Sequence, residues 1–129
     1  MGLHLFNRFK RIMVVEDDPV LGKTLSSELQ DEGFSVFPVT RGIDIVPTAL
    51  RVKPHLILLD LMLPGMNGMA ALEELRKDEW GKDAKVLILS NLMADGQLSA
   101  EADRLRACGY IEKNTVSQRE IIEQVYRHL

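Results

Sequence analysis

The chain is predicted to be an α/β domain, a doubly wound five-stranded parallel sheet with helices on both faces. Ile12-Met13-Val14-Val15, Leu56-Ile57-Leu58-Leu59 and Val86-Leu87-Ile88-Leu89 are continuous apolar runs. None alternates with polar residues, so each reads as a strand buried on both faces. Segments with helical spacing separate these runs, and the connections are too short to hold a second domain. Strand–helix alternation of this kind implies a parallel sheet with right-handed crossovers.

Taken in order, Ile12–Val15 is the first strand. Leu21, Leu25 and Leu29 fall four apart in the first helix. Asp18 can cap that helix, Pro19 suits its first turn and Gly33 can end it. Phe34–Val39 is a mixed strand whose Pro38 suits a sheet edge, because proline donates nothing to a ladder. A short helix is expected from near Asp44 to Val52, with Pro47 in its first turn. Leu56–Leu59 is the third strand, and Met69, Leu72 and Leu75 form the stripe of the third helix. Val86–Leu89 is followed by a helix on Leu98, Ala102 and Leu105, expected to stop near Gly109. Tyr110-Ile111-Glu112 is a short edge strand. Ser117-Gln118-Arg119-Glu120 is a capping-box pattern ahead of Ile121, Val125 and Leu129.

The 129 residues are enough for one domain, expected as a loose lead-in over 1–10 and a folded unit over 11–129. Hydrophobic residues make up 46% and charged residues 27%, the balance of a folded chain able to bury a core. The single cysteine, Cys108, excludes an internal disulfide or a multi-cysteine zinc site, and reads as a small buried residue without a role. A net charge of −3 gives no general attraction to nucleic acid or anionic membrane. The longest apolar stretch, Leu56–Met66, is broken by Asp60 and Pro64 and falls short of the roughly 20 residues of a membrane helix. A cytoplasmic location follows as the expectation.

Ligands of open parallel α/β sheets bind beyond the carboxyl ends of the strands. The first strand ends in Glu16-Asp17-Asp18, the third in Asp60 and the fourth in Ser90, while the fifth runs into Lys113. Carboxylates, a hydroxyl and an ammonium are therefore expected along one edge. Crowded carboxylates repel unless a cation intervenes, and hard oxygen ligands without histidine or thiolate select Mg²⁺, with Mn²⁺ as a substitute. An aspartate can attack phosphorus to form an acyl phosphate, with lysine and hydroxyl groups holding the phosphoryl oxygens. Asp18 reads as the helix cap rather than a ligand.

Val14-Val15-Glu16-Asp17-Asp18-Pro19, Leu58-Leu59-Asp60-Leu61-Met62-Leu63-Pro64-Gly65-Met66-Asn67-Gly68, Leu89-Ser90 and Gly109-Tyr110-Ile111-Glu112-Lys113 resemble the bacterial two-component response-regulator receiver domain, of the stand-alone chemotaxis-regulator kind. The resemblance runs from about Arg11 to Leu129, with the motifs in the family's order. It implies a flavodoxin-like (βα)5 fold with strand order 2-1-3-4-5. It implies that Asp60 takes a phosphoryl group from a histidine kinase or histidine phosphotransfer protein. Glu16, Asp17, Asp60 and the backbone carbonyl of Met62 would hold Mg²⁺, and Lys113 would contact the phosphoryl group. Ser90 and Tyr110 would be the switch pair, and the helix 4–strand 5–helix 5 face would signal to a downstream protein. The implied molecule is not an enzyme beyond its own phosphorylation and slow dephosphorylation, and has no nucleic-acid or membrane partner. It is a monomer, or a weak homodimer once phosphorylated.

Two departures stand out. Asn114 follows Lys113 where the family commonly has a proline in a cis peptide. A non-proline cis bond costs about 2.5–4 kcal/mol, so a trans Lys113–Asn114 bond is expected. Asn91 replaces the small residue that usually follows the hydroxyl. Met62 and Leu92, two beyond Asp60 and Ser90, carry no group to orient water, which implies slow dephosphorylation. Two other readings compete: a pseudo-receiver that binds without being phosphorylated, and an aspartate-nucleophile phosphatase. The second lacks the acid expected where Met62 stands. The chain ends with its fifth helix, which fits a stand-alone domain or a piece of a larger protein; the Met1 start and short lead-in favour the first.

Overall fold

The computed structural model describes residues 7–61, 67–90, 96–113 and 116–129, without the side chains of residues 96–98 and 101. Five strands, β1 (Arg11–Val15), β2 (Ser35–Val39), β3 (Leu56–Asp60), β4 (Val86–Ser90) and β5 (Gly109–Glu112), form one sheet in the order β2-β1-β3-β4-β5. Every pairing is parallel. The helices between them are α1 (Pro19–Asp31), α2 (Ile45–Val52), α3 (Gly68–Leu75), α4 (Gly96–Arg104) and α5 (Gln118–His128). Two 3-10 turns, Gly42–Asp44 and Gly81–Asp83, lead into α2 and towards β4. The sheet order and helix layers are those expected of the doubly wound class.

The pleat sends alternate side chains to opposite faces. Ile12, Val14, Leu56, Leu58, Leu87, Leu89 and Ile111 meet Leu25 and Leu29 of α1 and Ile121, Ile122 and Val125 of α5. Met13, Val15, Ile57, Leu59, Val86 and Ile88 meet Ile45 and Ala49 of α2, Ala71, Leu72 and Leu75 of α3, and Ala102 of α4. Each fully buried leucine or isoleucine contributes roughly 1.5–3 kcal/mol. Both faces of the central strands are covered, which is why their sequences are unbroken apolar runs.

Pro38 lies in edge strand β2 where the missing donor costs nothing. Ser35 N–H bonds Lys10 O at 3.0 Å and Val39 O accepts Glu16 N–H at 3.0 Å, so odd-numbered residues of β2 face β1. By alternation Pro38 points its absent N–H away from the sheet.

Local signals set the helix boundaries. Asp18 Oδ1 accepts the N–H groups of Val20 (3.0 Å) and Leu21 (3.3 Å), capping α1, and Gly33 beyond it adopts φ 99°. Asn67 Oδ1 accepts Met69 N–H at 2.7 Å and starts α3. Ser117 Oγ accepts Glu120 N–H at 3.2 Å, but Glu120 Oε1 returns to the serine hydroxyl at 3.4 Å rather than to its backbone. Half of the capping box is thus formed.

α4 stops before the expected Gly109, which belongs to β5 instead. Ala107 N–H bonds Ala102 O and Arg106 N–H bonds Asp103 O, both at 3.0 Å, a Schellman termination with Arg106 at φ 60° in the left-handed position. α2 ends similarly on Lys53 at φ 50°. Both non-glycine termini have an arginine on their carbonyls. Arg11 Nε donates to Val52 O (3.0 Å) and Nη2 to Lys53 O (2.8 Å), while Arg76 Nε donates to Leu105 O (2.7 Å) and Nη2 to Arg106 O (3.1 Å). Charge-assisted bonds at a helix C-terminus offset the left-handed backbone.

Two further expectations change. Cys108 is exposed rather than buried. The end of the lead-in is fastened, since Asn7 is 4% exposed and its Nδ2 donates to Glu32 O and to the Tyr126 hydroxyl, both at 2.7 Å.

Candidate functional site

Backbone bonds just beyond the strands place the polar residues at the carboxyl edge. Glu16 N–H bonds Val39 O at 3.0 Å, extending β1 by one residue. Lys113 N–H bonds Ser90 O at 3.2 Å, extending β5 alongside β4. Gly68 N–H bonds Leu61 O at 3.2 Å, drawing the start of α3 against the chain leaving Asp60. A Cβ on Gly68 would lie 2.8 Å from Leu61 Cα and 2.9 Å from Asp60 O, so this approach requires glycine.

Glu16 and Asp60 are each 2% exposed, Ser90 is fully buried and Asp17 is exposed. One carboxylate oxygen from each of Glu16, Asp17 and Asp60 lies within 4.8 Å of the others. Lys113 Nζ bridges the two buried acids, 2.8 Å from Glu16 Oε2 and 3.2 Å from Asp60 Oδ2. The contact to Glu16 is an ion pair outside hydrogen-bond geometry, which leaves Oε2 buried without a hydrogen-bond donor. Glu16 Oε1 accepts Asp18 N–H at 3.1 Å.

Burial is the main influence on Glu16 and pushes its pKa up from 4.5 to about 7; Lys113 opposes that rise and the Asp60 carboxylate adds to it. Burial acts to lower the Lys113 pKa, but its carboxylate partners outweigh it and hold the ammonium above its ordinary range. The lysine is therefore a fixed positive charge in an acidic pocket. The set fits a hard divalent cation: one carboxylate oxygen each from Glu16, Asp17 and Asp60 close together, a buried Glu16 Oε2 held by charge alone, and no nitrogen or sulfur ligand among the described residues of the cluster. Glu16, Asp17 and Asp60 are the described residues that would hold it. Met62, Asn91, Leu92 and Asn114 lie outside the described residues, and with them the Met62 carbonyl and the Lys113–Asn114 bond.

Strand alternation divides the site. Glu16, Asp60 and Lys113 continue the series that faces α1 and α5. Ser90 follows Val86 and Ile88 towards α2, α3 and α4, and half-buried Tyr110 packs on that same core beside Ile88. Glu16, Asp60 and the lysine thus start from one side, while Ser90 and Tyr110 start from the other. Sequence reasoning missed Gly68 as a positioning residue; its signal is a glycine directly after the capping Asn67.

Fold and site together define an open parallel α/β domain with an acidic, lysine-bridged pocket at its carboxyl edge. Residues 12–126 match the family described as the response regulator receiver domain, and the chain belongs to that family. The DNA-binding dual master transcriptional regulator RpaA of Synechocystis sp. is 38% identical over 82 residues, covering 64% of this chain and 34% of that protein. The chain spans about a third of the length of the curated relatives it matches. The BeF3-activated N-terminal receiver domain of Klebsiella pneumoniae RstA is 28% identical, with a TM-score of 0.80 over 92% of this chain and 97% of that one. The receiver domain of a sensor histidine kinase from Pseudomonas aeruginosa, solved with a magnesium ion coordinated in its active-site cleft, is 27% identical. Its TM-score is 0.81 over 92% of this chain and 95% of that one. Receiver domains are signalling switches of two-component systems. Among the described residues no helix is long and apolar enough to cross a membrane.

Proposed function

We propose that residues 11–129 form a phosphoacceptor switch in which Asp60 is the residue modified. An Asp60 carboxylate oxygen attacks phosphorus of a phosphohistidine donor. The P–N bond breaks, and its electron pair leaves with the imidazole, which is protonated. Lys113 holds one phosphoryl oxygen by charge, and Ser90 bonds another. Glu16, Asp17, Asp60 and the Met62 carbonyl would hold Mg²⁺, which would supply charge neutralisation for the phosphoryl oxygens. The observation that carries this reading is Lys113 Nζ lying between two buried carboxylates, 2.8 Å from Glu16 and 3.2 Å from Asp60.

The donor is a histidine kinase or histidine phosphotransfer protein. Ser90 and Tyr110 carry the change to the α4–β5–α5 face, where a downstream protein reads it. Met62 and Leu92 leave water unoriented and the phosphoryl group long-lived. The domain acts as a monomer or weak homodimer in the cytoplasm, and turns over no substrate besides its own phosphoryl group. The relatives named as DNA-binding regulators are about three times as long as the matched segment. A nucleic-acid partner would belong to sequence outside this domain.

Incubation with acetyl phosphate and Mg²⁺, followed by intact-mass measurement, tests this. One phosphoryl adduct that needs the metal is expected; no adduct would leave a binding module in its place.

A further inference from the structure

We propose that Arg76 is a positioning residue that fixes one end of α4, so that a change at Ser90 tilts that helix instead of sliding it. The proposal deepens the switch reading above and rests on it.

Arg76 follows α3 directly and is half-buried. Its guanidinium donates to four backbone carbonyls: Leu105 (2.7 Å) and Arg106 (3.1 Å) at the end of α4, and Gly81 (2.8 Å) and Ala84 (2.7 Å) on the approach to β4. One planar group thus joins the C-terminal cap of α4 to the turn that feeds the strand ending in Ser90. The Leu105 and Arg106 carbonyls are among those a helix terminus leaves without helical partners, at the negative end of the dipole. The left-handed backbone of Arg106 needs outside support.

The same end of α4 is held in two further ways. Ala102 and Leu105 are 0% and 5% exposed in the core, and Arg104 Nη2 lies 3.8 Å from Glu73 Oε2 of α3. The other end follows Ser90 within six residues of sequence. α4 has nine residues and so is about 13 Å long at 1.5 Å per residue. With its C-terminus pinned by a rigid fork, displacement entering from Ser90 becomes rotation about that pin. The movement is greatest at the α4 N-terminus and smallest beside Arg76. Lysine retains the charge but not the planar fork.

Hydrogen–deuterium exchange on the full chain tests this with wild type, Arg76→Gln and Arg76→Lys, before and after treatment with acetyl phosphate and Mg²⁺. Untreated Arg76→Gln is expected to exchange roughly tenfold faster at residues 102–107, with α1 and α5 unchanged. Arg76→Lys should fall between the two and serves alone if Arg76→Gln does not fold. On treatment, wild type should change at residues 91–100 and not at 102–107. The variants should change across 91–107 while gaining the phosphoryl adduct to the same extent. A wild-type change at 102–107 equal to that at 91–100 would overturn the proposal, as would variants that exchange like wild type before treatment. No adduct on wild type would sink the switch reading, while the untreated comparison still decides whether Arg76 holds the α4 terminus.

Discussion

Lys113 Nζ lies closer to Glu16 Oε2, at 2.8 Å, than to the expected phosphoacceptor Asp60, at 3.2 Å. The lysine is thus shared with a second buried acid, and Glu16 depends on outside cations for its charge. Glu16→Gln should stabilise the metal-free protein by on the order of 1–3 kcal/mol, because a buried carboxylate beside another is removed. Lys113→Met should destabilise it by a similar amount. Thermal unfolding in EDTA and in Mg²⁺ checks both, with Glu16→Gln gaining less from the metal than wild type. Equal gains would remove Glu16 from the cation site.

Gly68 sets the distance between α3 and the strand that ends in Asp60. The two nearest atoms that a Cβ would meet are backbone atoms, which cannot turn aside. Gly68→Ala should cost about 1–3 kcal/mol and slow phosphorylation by acetyl phosphate as α3 moves off. Unchanged stability and labelling would contradict the close approach.

His55 gives the fold a pH dependence away from the site. Its Nδ1 accepts Arg11 N–H at 3.0 Å, so the ring is neutral with its proton on Nε2. Burial first, then the charges of Arg11, Lys10 and Lys85, lower its pKa from 6.5. A folded pKa below the unfolded one gives stability that is complete above about 6.5 and lost as pH falls through the folded value. His55→Asn, which keeps an acceptor, should flatten the fall in melting temperature between about pH 7.5 and 5.5. Parallel curves would show that His55 does not contribute.

Lys53 ends α2 at φ 50°, supported by Arg11 on its carbonyl. Lys53→Gly should raise stability by about 0.5–1 kcal/mol, read as a higher urea midpoint with an unchanged slope. A lower midpoint would mean that the lysine side chain contributes something the backbone argument omits.

The sheet was legible because strands buried on both faces must be continuously apolar, as Leu56–Leu59 and Val86–Leu89 are. The acids at their carboxyl ends were legible for the same topological reason. Lys113 was legible only as the ammonium at the end of the fifth strand; its sharing between Glu16 and Asp60 was not, because it depends on side-chain reach across three strands. The end of α4 was misplaced because a left-handed arginine leaves no sequence signal of the kind glycine does. Arg11 and Arg76 escaped notice because side-chain bonds to distant carbonyls have no periodicity. Asn7 was hidden likewise, since its burial depends on Glu32 and Tyr126 far along the chain.

Locating the phosphoryl group by hydride reduction and peptide mass mapping, with Asp60→Asn in parallel, bears on all of this. Treatment of an acetyl-phosphate-labelled chain should convert Asp60, and no other residue, to the reduced product, with none formed in the variant. Reduction at a different carboxylate, or a phosphoryl adduct that persists in Asp60→Asn, would contradict it.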